Sequence, residues 1–311
     1  MVTRVSTAGT YSAILANLMA AENRQTDAEN RVSTQKNGVD LKAYASKAET
    51  LTAMKSVDAR ITQYQAGNSQ IASKLTTQDQ ALSTVADSAT AVRQALSDAL
   101  AAGNAGVLMQ QVQDAFATGV SGLNAQFDGK YLFAGGKITT QPVTATQLSD
   151  LTAGPPIASF FQNDSLKVQA KLDDSTTVTT GQLASDLGTP MLQAFQAIKA
   201  YDQGPNGPLS GQLNATQEAF LTSQLQTWIG VATNLTNQTA QNGLVQKQVD
   251  DVAANLVTQQ NTLTTMIGHI TDADMAKAAT DLSNAQLSVQ ASARVLQALQ
   301  SSSLLNLLPT T

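Results

Sequence analysis

The chain has 311 residues, with 18 Lys and Arg, 23 Asp and Glu, one His and no Cys. The lack of Cys excludes disulfide frameworks, thiol nucleophiles and Cys-based metal sites. A net charge of −5 without a basic block argues against nucleic-acid binding. No apolar run is long enough to span a bilayer, and the N-terminus does not resemble a cleavable secretion signal. We therefore expect no nucleic-acid partner and no membrane insertion.

Proline placement divides the chain into two arms and an insert. Residues 1–141 and 209–308 contain no Pro, and six of the 7 Pro lie in residues 142–208. Pro interrupts helix interiors, so the arms are predicted to be helical. The predicted fold is mainly α: a long antiparallel coiled-coil rod formed by the N- and C-terminal arms, with a small β-rich inserted module.

The same reasoning predicts three structural parts. Residues 1–40 and 272–311 are predicted to form terminal helices, and 41–141 and 209–271 a helical rod. Residues 142–208 are predicted to form an outer insert. The terminal helices begin with an amphipathic patch, in which apolar side chains recur at helical spacing at Tyr11, Ile14, Leu15, Leu18 and Met19.

The first arm carries a heptad seam. Spacings of three and four residues alternate over six heptads, which is typical of a coiled coil. Gly103 and Gly106 follow the seam, and glycine commonly ends a helix. The polar seam residues Asn68 and Gln78, with Gln259 in the seam of the second arm, are expected to fix the register at some cost in stability. The seam consists of Met54, Val57, Ile61, Tyr64, Asn68, Ile71, Leu75, Gln78, Leu82, Val85, Ala89, Val92 and Leu96.

Two segments between the arms favour strands. Residues 131–136, Tyr-Leu-Phe-Ala-Gly-Gly, form a short apolar run that ends at a glycine pair. Residues 166–172 alternate apolar and polar side chains, and Asp173-Asp174-Ser175 precedes the Thr-rich residues 176–180. The second pattern predicts a β-hairpin with its turn at the two Asp residues.

The second arm repeats the heptad pattern of the first. Its predicted seam consists of Val245, Val249, Val252, Leu256, Gln259, Leu263, Met266, Ile270 and Ala273. Each seam is too narrow to bury itself alone. The sequence therefore predicts that the two arms pair antiparallel, with the insert joining them.

The C-terminal residues carry further apolar stripes and almost no charge. One chain cannot cover both terminal stripes, so they would stay exposed unless other copies cover them. We therefore expect a homo-oligomer that assembles through its two ends. The predicted assembly interface consists of Tyr11, Ile14, Leu15, Leu18, Leu282, Val289, Leu296, Leu299, Leu304, Leu305, Leu307 and Leu308.

Residue chemistry predicts no catalytic, metal or cofactor site. His269 has no second His or Cys to complete a metal set or a nucleophile pair. Asp272 and Asp274 are interpreted as the first turn of a helix capped by Thr271 rather than as cation ligands. The single Trp228 is interpreted as a packing residue. A structural protein rather than an enzyme is the expectation.

Three segments resemble bacterial flagellins. Residues 270–276 (ITDADMA) with 282–286 (LSNAQ) resemble the C-terminal flagellin signature, and the chain ends in the same Leu-Leu pattern. Residues 123–137 (LNAQFDGKYLFAGGK) are similar to the family's stretch around Tyr-Leu-Phe-Ala-Gly. Residues 4–7 (RVST) and 31–36 (RVSTQK) are similar to the N-terminal helix and the turn after it. One departure is Gln35, where the family usually has Gly.

The resemblance implies a structural subunit of the extracellular bacterial flagellum. It is nearest to the hook–filament junction branch of the family (hook-associated protein 3), with a filament flagellin as the alternative. The implied partners are neighbouring hook-associated and flagellin subunits. The implied export route is the flagellar type III apparatus, without signal cleavage.

A hypothesis from another class stays open at this point. A secreted coiled-coil adhesin or carbohydrate-binding protein would use rings of the insert, namely Phe160, Phe161 and Tyr201. The alternative interpretation places these rings in the insert's own small core.

Overall fold

The computed structural model describes residues 3–301, and side chains for residues 9–298. Helix makes up 73% of it, which confirms the predicted mainly α fold with a small β module. The helices are α1 (Thr3–Thr34), α2 (Ala48–Ala102), α3 (Leu108–Leu123), α4 (Ala184–Gln203), α5 (Ala215–Thr271) and α6 (Met275–Ser301). Two antiparallel pairs contain the strands β1 (Gln126–Phe127), β2 (Lys130–Tyr131), β3 (Gln169–Lys171) and β4 (Thr177–Thr179).

The chain divides into two compact units. The first unit is Met1–Arg60 with Gln259–Thr311, and the second is Ile61–Thr258. The division falls inside α2 and α5. The sequence prediction placed its boundaries elsewhere, at the ends of the terminal helices and of the insert, and that three-part division stays a prediction.

In the first unit, α1 packs along α6. Arg31 in the last turn of α1 lies 3.9 Å from Asp281 near the start of α6, so the two helices run antiparallel. Small residues lie at their contact, where Ala28 and Ala285 are 4% and 7% exposed. Short side chains allow two helices to approach closely. We call α1 and α6 the terminal pair.

The heptad seam of α2 is present in the second unit. Every seam residue from Ile61 to Leu96 is buried or half-buried. Contacts from Gln78 to Asn242 and from Leu75 to Gln246 join α2 to α5. Because the residue number rises along α2 as it falls along α5, these helices pair antiparallel, as predicted.

The seam of α5 departs from the predicted register near its end. Gln259 and Met266 are exposed, whereas Gln260 and Ile267 are half-buried. The Gln260 side chain donates a hydrogen bond of 3.3 Å to Asp58. The buried positions advance by four residues twice, from Val252 to Leu256 and on to Gln260. A straight α-helix with 3.6 residues per turn drifts from a strict heptad in this way.

The two polar seam residues of α2 bind the β3–β4 hairpin. Asn68 donates to the carbonyl oxygen of Leu172 at 3.1 Å, and Gln78 donates to that of Thr180 at 3.2 Å. Both amides are buried, with 1% of each residue exposed. At these two seam positions, hydrogen bonds to the insert therefore replace contacts with an apolar partner.

The predicted hairpin is confirmed, with Ala170 opposite Val178. Its turn is closed by Asp173, whose carboxylate accepts hydrogen bonds from the backbone N–H groups of Ser175 at 2.8 Å and Thr176 at 2.6 Å. Partial desolvation raises the pKa of Asp173, but these hydrogen bonds outweigh it and lower the pKa overall.

The insert also contains a 20-residue helix, α4, that the sequence analysis did not anticipate. Pro190, one of the prolines that separate the two arms, is the seventh residue of this helix. Burial of one face explains why the helix persists, since tertiary packing outweighs local propensity. Phe195 on α4 forms edge contacts with Phe116 at 5.3 Å and Trp228 at 4.6 Å between ring centroids.

Candidate assembly surface

Part of the predicted interface lies within one chain, at the seam between α1 and α6. Ile14 and Leu18 on α1 are half-buried, as are Leu282, Val289 and Leu296 on α6. They alternate with fully buried small residues, including Ala21 on α1 and Ala278 on α6. These five residues of the predicted interface therefore lie at or beside the contact between α1 and α6.

A second set of apolar side chains on the terminal pair is exposed. On α1 it follows a spacing of four residues, through Tyr11, Leu15 and Met19. On α6 it contains Leu287, which is 66% exposed, and Val295. We call these five residues the outer apolar set. These five apolar side chains lie outside the seam between α1 and α6 and are open to solvent.

The structure places the remaining predicted residues as follows. Tyr11 and Leu15 belong to the outer apolar set. The side chain of Leu299 and all of Leu304, Leu305, Leu307 and Leu308 lie outside the described residues. The predicted interface as a whole stays a prediction. The sequence analysis missed Leu287 and Val295, because neither falls on the stripe that it followed along α6.

A network of hydrogen bonds ties the end of α1 to the junction of α5 and α6. The backbone N–H of Asn37 donates to the carbonyl oxygen of Thr271 at 2.7 Å, and that of Ala273 donates to the carbonyl oxygen of Gln35 at 2.9 Å. The Asn37 side chain adds a bond of 2.8 Å to the carbonyl oxygen of Asp272. We call residues 35–37 and 271–273 the clamp.

The charged contact of the clamp joins Lys36 to Asp272, with 2.5 Å between Nζ and Oδ1. Thr271 donates a second hydrogen bond to the same carboxylate oxygen at 3.0 Å. The hydrogen bond from Lys36, followed by that from Thr271, holds the pKa of Asp272 below its ordinary value of 3.8. The carboxylate is therefore charged at neutral pH and serves as an acceptor in the clamp.

Gln35 supplies the turn that enters the clamp. Its φ angle is +58°, in the left-handed region that a non-glycine residue adopts only at an energetic cost. Helices commonly end with such a residue, which is usually Gly. Gln35 therefore adopts a conformation that Gly, the residue usual at this position in the flagellin pattern, would adopt more readily.

The two Asp residues of this region have different roles, since Asp272 binds side chains in the clamp and Asp274 binds backbone N–H groups. Asp274, and not Thr271 as predicted, caps α6, because its carboxylate accepts from the N–H groups of Ala276 at 3.0 Å and Lys277 at 3.1 Å.

His269 lies exposed in the last turn of α5. Among the described residues, no three His, Cys, Asp or Glu side chains form a group that could hold a metal ion. None of the helices described is both long and apolar enough to cross a membrane.

The aromatic rings that the adhesin hypothesis required belong to the core of the second unit. Phe160 and Phe161 are half-buried and pack against that core. Tyr201 stacks on Phe220 at 3.7 Å between ring centroids, with 7° between the ring planes. Rings engaged in this way do not form an open ring platform for a sugar.

Comparison with known proteins finds a family model that matches the C-terminal segment. Residues 221–308 match the family model of the bacterial flagellin C-terminal helical region. This segment is therefore similar to the C-terminal helical region of bacterial flagellins. The match confirms the resemblance seen in the sequence, and it covers α6 and most of α5. No curated protein sequence matches the chain significantly.

Solved structures share the fold of about 70% of the chain. A protein from Vibrio parahaemolyticus assigned as a flagellar hook-associated protein aligns with a TM-score of 0.58 and 16% identity, over 71% of this chain and 96% of that one. FlgL from Bacillus cereus aligns with a TM-score of 0.53 and 17% identity, over 70% of this chain and 99% of that one. At such identities the likeness shows a common fold.

Proposed function

We propose that this chain is a structural subunit of the bacterial flagellum that assembles at the junction between hook and filament. The observation that carries the proposal is the terminal pair, which lies partly within the flagellin C-terminal helical region and keeps an outer apolar set after its own seam has formed. The likeness of fold to a hook-associated protein and to FlgL supports the junction rather than the filament itself.

The physical basis of assembly is burial of the outer apolar set between copies. Fully burying a side chain such as Leu or Met contributes roughly 1.5–3 kcal/mol. Two or three such contacts on each copy, repeated around a ring, would stabilise a collar of subunits. The other proposed partners are adjacent hook-associated and flagellin subunits, and export through the flagellar type III apparatus would deliver the chain to the flagellum.

The three-part division of the chain fits this role. The terminal helices would form the inner layer of a tube, the long helices a second layer, and residues 142–208 would face outward. This arrangement is part of the proposal and follows the flagellin resemblance. It would place the insert on the surface of the assembly.

Labelling of intact flagella tests the proposal. A strain that lacks the chromosomal copy is complemented with an epitope-tagged chain, and antibody-bound gold is located by electron microscopy. We expect a short collar between hook and filament, and hooks without filaments in the uncomplemented strain. Gold along the whole filament would favour a filament flagellin. Normal filaments without the chain would contradict both roles.

A further inference from the structure

A cleft in the second unit contains a lysine without a counter-ion. It lies between α2 and the β1–β2 hairpin and has a volume of about 250 Å³. Ile71, Tyr131 and Ile138 supply apolar walls, and Lys74 reaches into the cleft from α2. We call this space the Lys74 cleft.

The tight turn of the β1–β2 hairpin forms one rim of the cleft. Asp128 and Gly129 have φ angles of +51° and +71°, the backbone geometry that an Asp-Gly pair favours in a two-residue hairpin. Phe127 pairs with Lys130 across it, and both residues line the cleft, to which they add a ring and a second ammonium group. The Asp128 carboxylate is the one acidic group among the residues that line the cleft.

Lys74 is poorly satisfied within its own chain. No carboxylate of the described residues lies within ion-pair distance of its ammonium group. Burial lowers the pKa of Lys74 from its ordinary value of 10.5. A partly desolvated cation gains from a carboxylate partner more than an exposed one does, because screening by water is weaker.

The size of the cleft favours a side chain over a free ligand. Small-molecule sites usually enclose about 300–1,000 Å³, and this space is smaller and open to solvent on one side. An acidic side chain with an apolar neighbour would match the two ammonium groups and the apolar walls. The chain itself is acidic, with 23 Asp and Glu against 18 Lys and Arg. Copies of it would be neighbours in the proposed collar.

We propose that the Lys74 cleft receives an Asp or Glu side chain from a second copy of this chain. The inference rests on the proposed function, since only an assembled subunit has a second copy beside it. The contact would lie in the second unit and would be separate from the outer apolar set. It would add directionality to an assembly otherwise driven by non-directional apolar burial.

The first test compares Lys74→Met with Lys55→Met, a matched change at an exposed lysine on the same helix. In the complemented deletion strain, the readout is the ratio of chain incorporated into flagella to folded chain free in the medium. We expect Lys74→Met to lower this ratio about tenfold or more, because truncating a desolvated charge pair is costly. Lys55→Met should match the parent.

The second test places a photo-crosslinking amino acid at Ile138, on the wall of the cleft. In isolated flagella we expect a crosslinked dimer of this chain, joined to a peptide that contains Asp or Glu. A crosslink to another protein, or no dimer, overturns the inference, as does parental incorporation of Lys74→Met. If the parent chain itself never enters flagella, the proposed function fails instead, and the two failures are thereby distinguished.

Discussion

The Lys36 ammonium group binds the Asp272 carboxylate across 236 residues of sequence. Around this contact, backbone hydrogen bonds join Asn37 to Thr271 and Ala273 to Gln35. The chain connects the long helices to the terminal pair twice, once after α1 and once after α5. Both connections therefore meet at the clamp. The position of α1 beside α6 depends on this point as well as on the apolar seam.

Asp272→Asn should loosen the clamp. The asparagine has nearly the same shape but cannot form the ion pair with Lys36. We expect faster amide hydrogen exchange in residues 35–38 and 271–274, with α3 and α4 unchanged. Asp250→Asn, at an exposed position of α5, is the matched control. Equal exchange in both variants would show that the charge contributes nothing there.

The clamp should also weaken in acid. The folded state lowers the pKa of Asp272 below 3.8, with the hydrogen bond from Lys36 as the main cause. Its contribution is therefore complete above about pH 4 and lost as the pH falls through the lowered pKa. Exchange at residues 35–38 should rise over that range in the parent but not in Asp272→Asn. An identical acid response in both proteins would exclude Asp272 as its source.

Gln35→Gly should stabilise the protein. A left-handed conformation costs a residue with a side chain about 1–2 kcal/mol. Gly avoids this cost, but it loses more conformational entropy on folding than other residues, which offsets part of the gain. We expect a net gain of about 0.5–1 kcal/mol in the free energy of unfolding of the first unit, measured by denaturant titration. Gln35→Ala keeps the strain and should show no such gain. A loss of stability in Gln35→Gly would mean that the Gln35 side chain makes a compensating contact.

Gln78→Ala should weaken the attachment of the β3–β4 hairpin to the long helices. Gln78 donates both to the Thr180 carbonyl and to the Asn242 side chain, at 3.2 and 3.0 Å. Leaving buried acceptors unsatisfied costs about 1–3 kcal/mol. Unfolding of the second unit can be followed through the fluorescence of Trp228, which is fully buried. Gln80→Ala, exposed two residues away, should leave that transition unchanged, and equal effects of the two changes would refute the assignment.

The sequence predicted the regular parts of this fold for physical reasons. A heptad seam is visible because one side of α2 is apolar over many turns, and the β3–β4 hairpin is visible through alternation and its Asp turn. The helix α4 was missed because the prolines of residues 142–208 were interpreted as excluding a helix, and the burial of Phe195 that stabilises it is visible only in the structure. The shift of the α5 seam from Gln259 to Gln260 was missed because the prediction kept a strict heptad, whereas a straight helix has 3.6 residues per turn.

The candidate site was only partly accessible to sequence reasoning. Apolar terminal stripes indicated an assembly surface, but the division into an inner seam and the outer apolar set depends on how α1 rotates against α6. The clamp joins residues far apart in sequence, so no local pattern marks it. Likewise, Lys74 appears in the sequence as one of many helix lysines, and only the approach of the β1–β2 hairpin desolvates it.

The most direct test of the account replaces exposed apolar residues of the terminal pair. The variant Met19→Gln with Leu287→Gln removes two members of the outer apolar set, while Leu244→Gln alters a side chain of similar exposure, 69%, in the second unit. The measurement is the amount of folded chain incorporated at the hook–filament junction. The account predicts that the double variant is exported and folded but falls at least about tenfold in incorporation, while Leu244→Gln matches the parent. Parental incorporation of the double variant would contradict it.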